Sequence, residues 1–212
     1  MTLYHDQLKK VKKLGHVYSI EVKINTSSVF LRSVDESDET IRLLTEWRNK
    51  YWDAFPAKFK ATESGTRKWL REQVIDNQDR ILFMIILEGV KIGHIGTYRY
   101  NAGDNSAEID NVVRAIRDSH PGLMEKVTRS MIKWMFVDVG LSKVRLKVFS
   151  DNYKAINLYE RCGMLTVGNI PLKRVHTQDG WKWEETQLNT ESEYADRYFS
   201  IMEIDRKSLL PS

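Results

Sequence analysis

Tyr159 lies in the segment Asn152-Tyr-Lys-Ala-Ile-Asn-Leu-Tyr-Glu-Arg-Cys-Gly163, between the β-rich run Val144–Phe149 and the apolar Met164-Leu-Thr-Val167. An Asn caps a helix by accepting a hydrogen bond from a free backbone N–H. Ala155, Ile156, Tyr159 and Cys162 recur at three- and four-residue spacing, and Gly163 stands where a left-handed helix stop belongs. The spacing predicts a short, sharply bounded helix that holds one phenol still. Upstream, Ala107–Val113 alternates. Alternation puts Glu108, Asp110 and Val112 on one face of a strand and Ile109, Asn111 and Val113 on the other. A fixed phenol and carboxylates sharing a face are groups that can exchange protons with a ligand.

A third stretch, Val112-Val113-Arg114-Ala-Ile-Arg117-Asp-Ser-His120-Pro-Gly122-Leu123, joins that strand to the longest predicted helix. A helix N-terminus carries unpaired N–H groups and the positive end of the helix dipole, which seat a pyrophosphate. Gly122 lets an anion approach the backbone closely, and Arg117 adds charge.

The elements that must position these residues alternate between the two periodicities. A helix over Gln7–Leu14 and a strand over His16–Ile24 open the chain as an appendage ending at Ser28. Val29–Val34 is the first core strand, and Ser37 or Asp38 caps a helix with Ile41, Leu44, Trp47 and Tyr51 on one side. A second helix covers Thr66–Ile75 with Trp69, Leu70 and Val74 inward. Strands follow over Ile81–Leu87, Val90–Tyr100 and Ala107–Val113, the first two joined at Glu88-Gly89. The longest helix runs from Pro121 to Val139 on the ladder Leu123, Val127, Met131, Met135, with proline in the first turn, where its missing N–H costs nothing. Strands Lys143–Phe149 and Met164–Ile170 bracket the Tyr159 helix, and a polar stretch, Thr177–Arg197, leads to a last strand, Tyr198–Ile204.

The 212 residues suit one domain with an appendage, and the longest apolar run, Ile81–Leu87, is far too short to span a bilayer. No secretory signal opens the sequence, and a single cysteine, Cys162, excludes an internal disulfide, so a cytoplasmic protein is expected. Cys162 reads as a small buried apolar residue rather than a nucleophile. The basic excess, +4 with a pI near 9.0, fits an anionic ligand or an ordinary solvated surface. Its clearest cluster, Lys9-Lys10-Val-Lys12-Lys13, lacks interleaved aromatics and reads as a helix face, not a nucleic-acid site.

The segment from Asn152 resembles the last motif of the GCN5-related N-acetyltransferases (GNAT), N-x-x-A-x-x-x-Y-x-x-x-G-F, with Met164 in place of the final Phe. Arg117-x-x-His120-x-Gly122 resembles that family's Q/R-x-x-G-x-G/A loop, with His120 replacing a glycine and Pro121 removing one amide donor. The resemblance extends over residues 29–206, leaving 1–28 as the appendage and 207–212 as a tail. It implies an α/β fold: a mixed sheet of about seven strands, two parallel ones splayed apart, flanked by about four helices. It also implies acetyl-coenzyme A as cosubstrate, no metal, and pantetheine lying between Ala107–Val113 and Lys143–Phe149. Val112, Val113, Arg114, Arg117, His120, Gly122, Leu123, Asn152, Ala155 and Tyr159 are then the cofactor-binding residues. Asn152 either touches the cofactor or only caps its helix. Tyr159 takes the role of general acid for the departing thiolate. Glu108 is the leading candidate base and Asp110 its rival, with His94 and His176 as further options.

The family does not name the acceptor. Its wall is expected from the first two helices, the Val90–Tyr100 strand and the loop before the last strand. These carry Trp47, Tyr51, Trp52, Phe55, Tyr98, Tyr100, Trp181 and Trp183, part of them core packing. Trp47-Arg48-Asn49 resembles family members acting on ribosomal-protein termini and others found with sugar-modifying enzymes. Glu108–Arg114 and Ile170-Pro-Leu-Lys173 look more like the second group. The expected acceptor is therefore the amine of a nucleotide-linked amino sugar, bound by Trp47, Tyr98, Tyr100 and Lys173. A protein N-terminus is the alternative, and a module that binds acyl-coenzyme A without turnover is a third reading. Pairing of two copies is open through the first 28 residues or an edge strand.

Overall fold

The computed structural model describes residues 2–24, 27–116, 120–188 and 194–208. Its centre is one mixed sheet of ten strands in the order β1-β2-β4-β5-β6-β7-β10-β8-β9-β3. In chain order the strands are β1 Ser19–Ile24, β2 Ser27–Ser33, β3 Ala57–Phe59, β4 Ile81–Leu87, β5 Val90–Asn101, β6 Ser106–Arg114, β7 Lys143–Phe149, β8 Leu165–Thr177, β9 Gly180–Glu185 and β10 Arg197–Asp205. The helices are α1 Leu3–Leu14, α2 Asp38–Lys50, α3 Glu63–Leu70, α4 Leu123–Val137 and α5 Tyr153–Arg161. The α/β class is as expected, but strands and helices both outnumber the expectation. The extra strands, β3 and β9, pair with each other at the sheet edge, and β9 lies within the stretch read as merely polar.

The sheet separates two cores. Continuous burial of β4 comes from packing on both faces: Ile81, Phe83 and Ile85 join α1 and α4, while Leu82 and Met84 face α2 and α3. The α4 ladder of Leu123, Val127, Met131 and Met135 is fully buried, and Trp134 beside it donates its indole N–H to the Tyr18 hydroxyl at 2.7 Å. The described part of the expected appendage belongs to this core, since Tyr4, Leu8 and Val11 of α1 are buried in it and β1 extends the sheet.

Lys12 of α1 ties that segment to the far face. Its ammonium donates to the carbonyls of Val74 (2.5 Å), Ile75 (3.1 Å) and Asn77 (2.5 Å). These carbonyls lie at and just past the end of the π-helical turn Arg71–Ile75 that continues α3, where helical partners run out. Lys12→Met keeps the apolar stem and removes the donors. It should cost about 2 kcal/mol, as for hydrogen bonds to a charged group, read as a fall in Tm of roughly 4–8 °C for a chain of this size. An unchanged melting temperature would show that the contacts add nothing.

Among the described residues only β6 and β7 run parallel, and they pair over just Ser106–Glu108 with Lys143–Arg145 before diverging. On its other side β6 bulges against β5: His94 pairs with Val113 and Gly96 with Asp110, so Asn111 and Val112 together oppose Ile95. Asn111 takes a positive φ of 50°, tolerated by Asn better than by most residues. The extra residue reverses the alternation beyond it. Val112 therefore packs toward the α4 core and Val113 toward the α2 core, which corrects the expectation that Val112 shares a face with Glu108 and Asp110. Gly93 on β5 allows the approach of β6, since a Cβ there would lie 2.1 Å from the Val113 carbonyl oxygen.

Candidate active site

Where β6 and β7 part, a cavity of about 850 Å³ opens. Residues 109–113 of β6 line one side and residues 146–149 of β7 the other, with Asn152, Ala155 and Tyr159 of α5 at the split. The opposite wall comes from α2, β3 and α3, including Arg48, Phe55, Phe59, Lys60 and Trp69, and from Trp183 and Glu185 of β9. The sheet thus curls until β9 meets β3. Gly180 is needed at that seam, because a Cβ there would sit 2.0 Å from the Lys58 carbonyl oxygen.

Local chemistry explains how each side chain is held. The Asn152 side chain accepts from the Ala155 N–H at 3.2 Å, so it caps α5, and it also lines the cavity. Gly163 ends the helix region with φ 90°. Tyr159 is 7% exposed, and among the described residues its hydroxyl has no hydrogen-bond partner. Burial, helped by the neighbouring Cys162, pushes its pKa far above the usual phenol value. The phenol therefore keeps its proton. Cys162 is buried, donates weakly to the Glu125 carbonyl at 3.7 Å, and is pushed up to about 11 by burial, as expected of a packing residue.

Burial lifts the Asp110 carboxyl to about 6 although Arg80 stands 3.3 Å away and the Asn111 amide donates to it at 2.6 Å. Gly96 leaves room for it, since a Cβ at that position would lie 2.8 Å from Asp110 Oδ1. That oxygen is covered and has no hydrogen-bond partner among the described residues, while 14% of the side chain remains exposed. Glu108 faces Arg99 at 3.6 Å. The Arg80 and Arg99 guanidinium groups stand 4.2 and 4.8 Å from the ring centre of Tyr98, which lines the cavity. His94 also lines it, but its Nδ1 lies 2.6 Å from the Asn111 carbonyl and burial lowers its pKa to about 4. It is a neutral clasp on the bulge. His176 lies on β8 away from the cavity lining.

Several expected ligand contacts are placed elsewhere. Trp47 is buried and stacks on His94 at 5.9 Å, so it supports the wall from behind. Tyr100 stacks on Tyr4 at 4.7 Å in the α1 core, and Lys173 sits on β8 opposite Glu184, outside the cavity lining. Leu123 is a core residue whose N–H donates to the His120 carbonyl at 3.2 Å. Arg114, at the end of β6, and His120 and Gly122, on the connection that leads to α4, also lie outside the lining. His120 and Gly122 both take left-handed φ values, 73° and 76°, and Gly122 brings no side-chain cap to α4. Arg117 lies outside the described residues.

Arg48 is the residue that sequence reading underweighted. With Asn49 it pins the wall: Arg48 donates to the Ala57 carbonyl, while the Asn49 amide donates to the Ala61 carbonyl at 3.0 Å and accepts from the Ala61 N–H at 2.8 Å. The guanidinium lies between the rings of Phe55 (4.4 Å) and Phe59 (4.6 Å), and burial lowers its pKa to about 10.

A coenzyme A arm fits this frame. Beyond Glu108 the edge of β6 that faces β7 has no strand partner among the described residues, leaving backbone amides and carbonyls for pantetheine. The left-handed turn ahead of α4 leaves an open approach, with nothing within 4 Å of a Cβ built at Gly122. Among the described residues no cluster of His, Cys, Asp or Glu could hold a metal ion, and no helix is long and apolar enough to cross a membrane.

A sheet split between parallel strands, with a protonated phenol at the split, suits an acyl transferase. The family model described as "Acetyltransferase (GNAT) domain" matches residues 28–165, more than half of the chain, which therefore belongs to the GNAT acetyltransferase family, N-acyltransferases that use acetyl-coenzyme A. Among solved structures, the fold is similar to the Vibrio cholerae spermidine N-acetyltransferase in complex with CoA and spermine, at TM-score 0.62 and 18% identity over 84% of this chain and 95% of that one. A chimera of the Vibrio cholerae spermidine N-acetyltransferase SpeG and hSSAT gives TM-score 0.64 and 20% identity over 84% and 95%. A GNAT-family acetyltransferase from Bacillus anthracis gives TM-score 0.64 and 17% identity over 89% and 98%. No curated protein matches the chain.

Proposed function

We propose that the protein transfers an acetyl group to the amine of an acceptor that is itself anionic, a nucleotide-linked amino sugar. Tyr159 acts as general acid and Asp110 as general base. The observation that carries the acceptor class is the excess of positive charge along the cavity, which Arg48 and Lys60 supply. The remaining charges along the cavity largely cancel, Arg80 against Asp110, Arg99 against Glu108 and Lys147 against Glu185. Arg48 and Lys60 are left without a carboxylate among the described residues. A polyamine cation would meet like charge here, so the charge balance favours an anion despite the fold shared with spermidine acetyltransferases.

When bound, acetyl-coenzyme A supplies a thioester carbonyl open to attack and a thiolate that leaves. The amine must reach that carbonyl neutral and shed a proton after attack. Asp110, with its carboxyl near 6, is ionised at neutral pH yet basic enough to take that proton directly or through one water. Glu108, paired with Arg99, holds the amine at the mouth. Tyr159, kept protonated by burial, offers its hydroxyl proton to the departing sulfur.

Release of the coenzyme A thiol, followed with DTNB, tests the acceptor. A nucleotide-linked 4-amino-hexose should be turned over, and spermidine and a peptide with a free N-terminus should not. Turnover of spermidine alone, or of the peptide alone, would overturn the acceptor class. No release from any, with acetyl-coenzyme A raising Tm, would leave a binding module.

A further inference from the structure

A second hollow of about 600 Å³ lies beside the active cavity, and Phe59 and Lys60 line both. Its floor is the β3–β9 pairing, and its walls are Trp52, Trp181, Lys58 and Asp179. The rings of Trp52 and Trp181 meet edge to face at 6.2 Å. The Lys58 ammonium stands 3.8 Å from the centre of the Trp52 ring. Lys60 has no ion-pair partner among the described residues. Nothing in the acetyl-transfer steps uses any of these groups.

We propose that this hollow holds the nucleoside end of the acceptor, with the base stacked on Trp181 and the diphosphate running past Lys60 and Lys58. The inference rests on the nucleotide-linked reading and specifies where that part of the molecule binds. The two hollows meet at one aromatic and one cationic side chain, which suits a ligand made of two rings joined by a charged bridge. An indole face accepts any base by stacking. Two ammonium groups answer the phosphates as point charges, and the Asp179 carboxylate can accept from a ribose hydroxyl or a base N–H. The hollow is open, so the base gains contact area without a rearrangement of the core.

The test is titration of UDP, dTDP, GDP and CDP separately into the full-length protein, read by calorimetry and by quenching of tryptophan fluorescence. At least one should bind, and Trp181→Ala should weaken it by ~10–100-fold, the range expected for one lost base stack. Trp181→Phe should restore most of the affinity, which a folding defect would not allow. Acetyl-coenzyme A should bind all three proteins equally. In turnover, Trp181→Ala should raise KM for the nucleotide-linked sugar and leave kcat alone. If none of the four nucleotides binds, or if Trp181→Ala binds as tightly as the unaltered protein, the assignment is overturned. Efficient turnover of the nucleotide-linked sugar with KM unmoved by Trp181→Ala would refute this subsite and leave the acceptor class standing. Nucleotide binding lost in Trp181→Ala, without turnover of any amino sugar, would support the subsite and refute the acceptor class.

Discussion

Tyr159→Phe should lower kcat by about 10²–10⁴-fold, the contribution of one positioned proton donor, while the Kd for acetyl-coenzyme A stays within about twofold. The substitution removes one oxygen from a ring that is otherwise packed in the core. Since that oxygen has no hydrogen-bond partner among the described residues, its loss leaves no protein group unsatisfied, and stability should barely change. Few positions separate chemistry from folding this cleanly. Burial keeps the hydroxyl protonated at neutral pH, and because the same burial weakens it as an acid, its proton passes only as negative charge develops on the departing sulfur. Steady-state kinetics and calorimetry on the two proteins check both halves. An unchanged kcat would remove the acid role, and a large loss of acetyl-coenzyme A affinity would make Tyr159 a binding residue instead.

The second large effect is expected at Asp110. Its carboxyl is raised to about 6 by burial, so the proton-accepting form is lost as pH falls through that value, and kcat/KM should decline with it. Asp110→Asn should abolish that acid limb and cut kcat by about 10²-fold or more. Glu108→Gln offers the contrast. It removes the charge that faces Arg99 at 3.6 Å, should raise KM for the acceptor, and should keep the limb near pH 6. A limb that vanishes with Glu108→Gln and persists in Asp110→Asn would exchange the two roles. His94 contributes no limb in this range, because burial holds it neutral down to about 4.

Elements with strong local signals were legible in the sequence. The Lys143–Phe149 strand lies where its β-rich run places it, Asn152 and Gly163 bound the Tyr159 helix as a cap and a left-handed stop, and the α4 ladder is buried along its length. What escaped was set by tertiary pairing. β3 is three residues long and largely exposed, and β9 alternates tryptophans with charges at a sheet edge, so neither carries the apolar pattern of a core strand. A local signal for β9 did exist: Asp179-Gly180 is a turn-favouring pair between alternating runs, and the chain reverses at Gln178-Asp179 with Thr177 paired to Gly180. The bulge at Asn111 is a second case. Alternation alone kept Val112 beside Asp110, whereas the reversal comes from the register shift against β5, where Asn111 takes a positive φ.

The site was legible in the same uneven way. Tyr159, Glu108, Asp110, Asn152, Ala155, Val112, Val113 and Tyr98 all line one cavity. Trp47 and Tyr100 do not, because an aromatic beside the sheet is as easily a packing residue, and no spacing rule distinguishes the two. Arg48 lay next to Trp47 in the sequence, yet its importance comes from two rings and a backbone carbonyl that approach from β3 and the turn before it. Those neighbours become visible only once β3 has closed against β9.

The account depends on acetyl-coenzyme A lying where β6 and β7 diverge, with its sulfur beside one phenol. A crystal structure of the protein with coenzyme A measures this directly. The sulfur should lie within hydrogen-bond reach of the Tyr159 hydroxyl, ~3 Å or one bridging water away, with the pantetheine amides paired to the free edge of β6. Coenzyme A bound elsewhere, or a sulfur separated from Tyr159 by packed side chains, would contradict it.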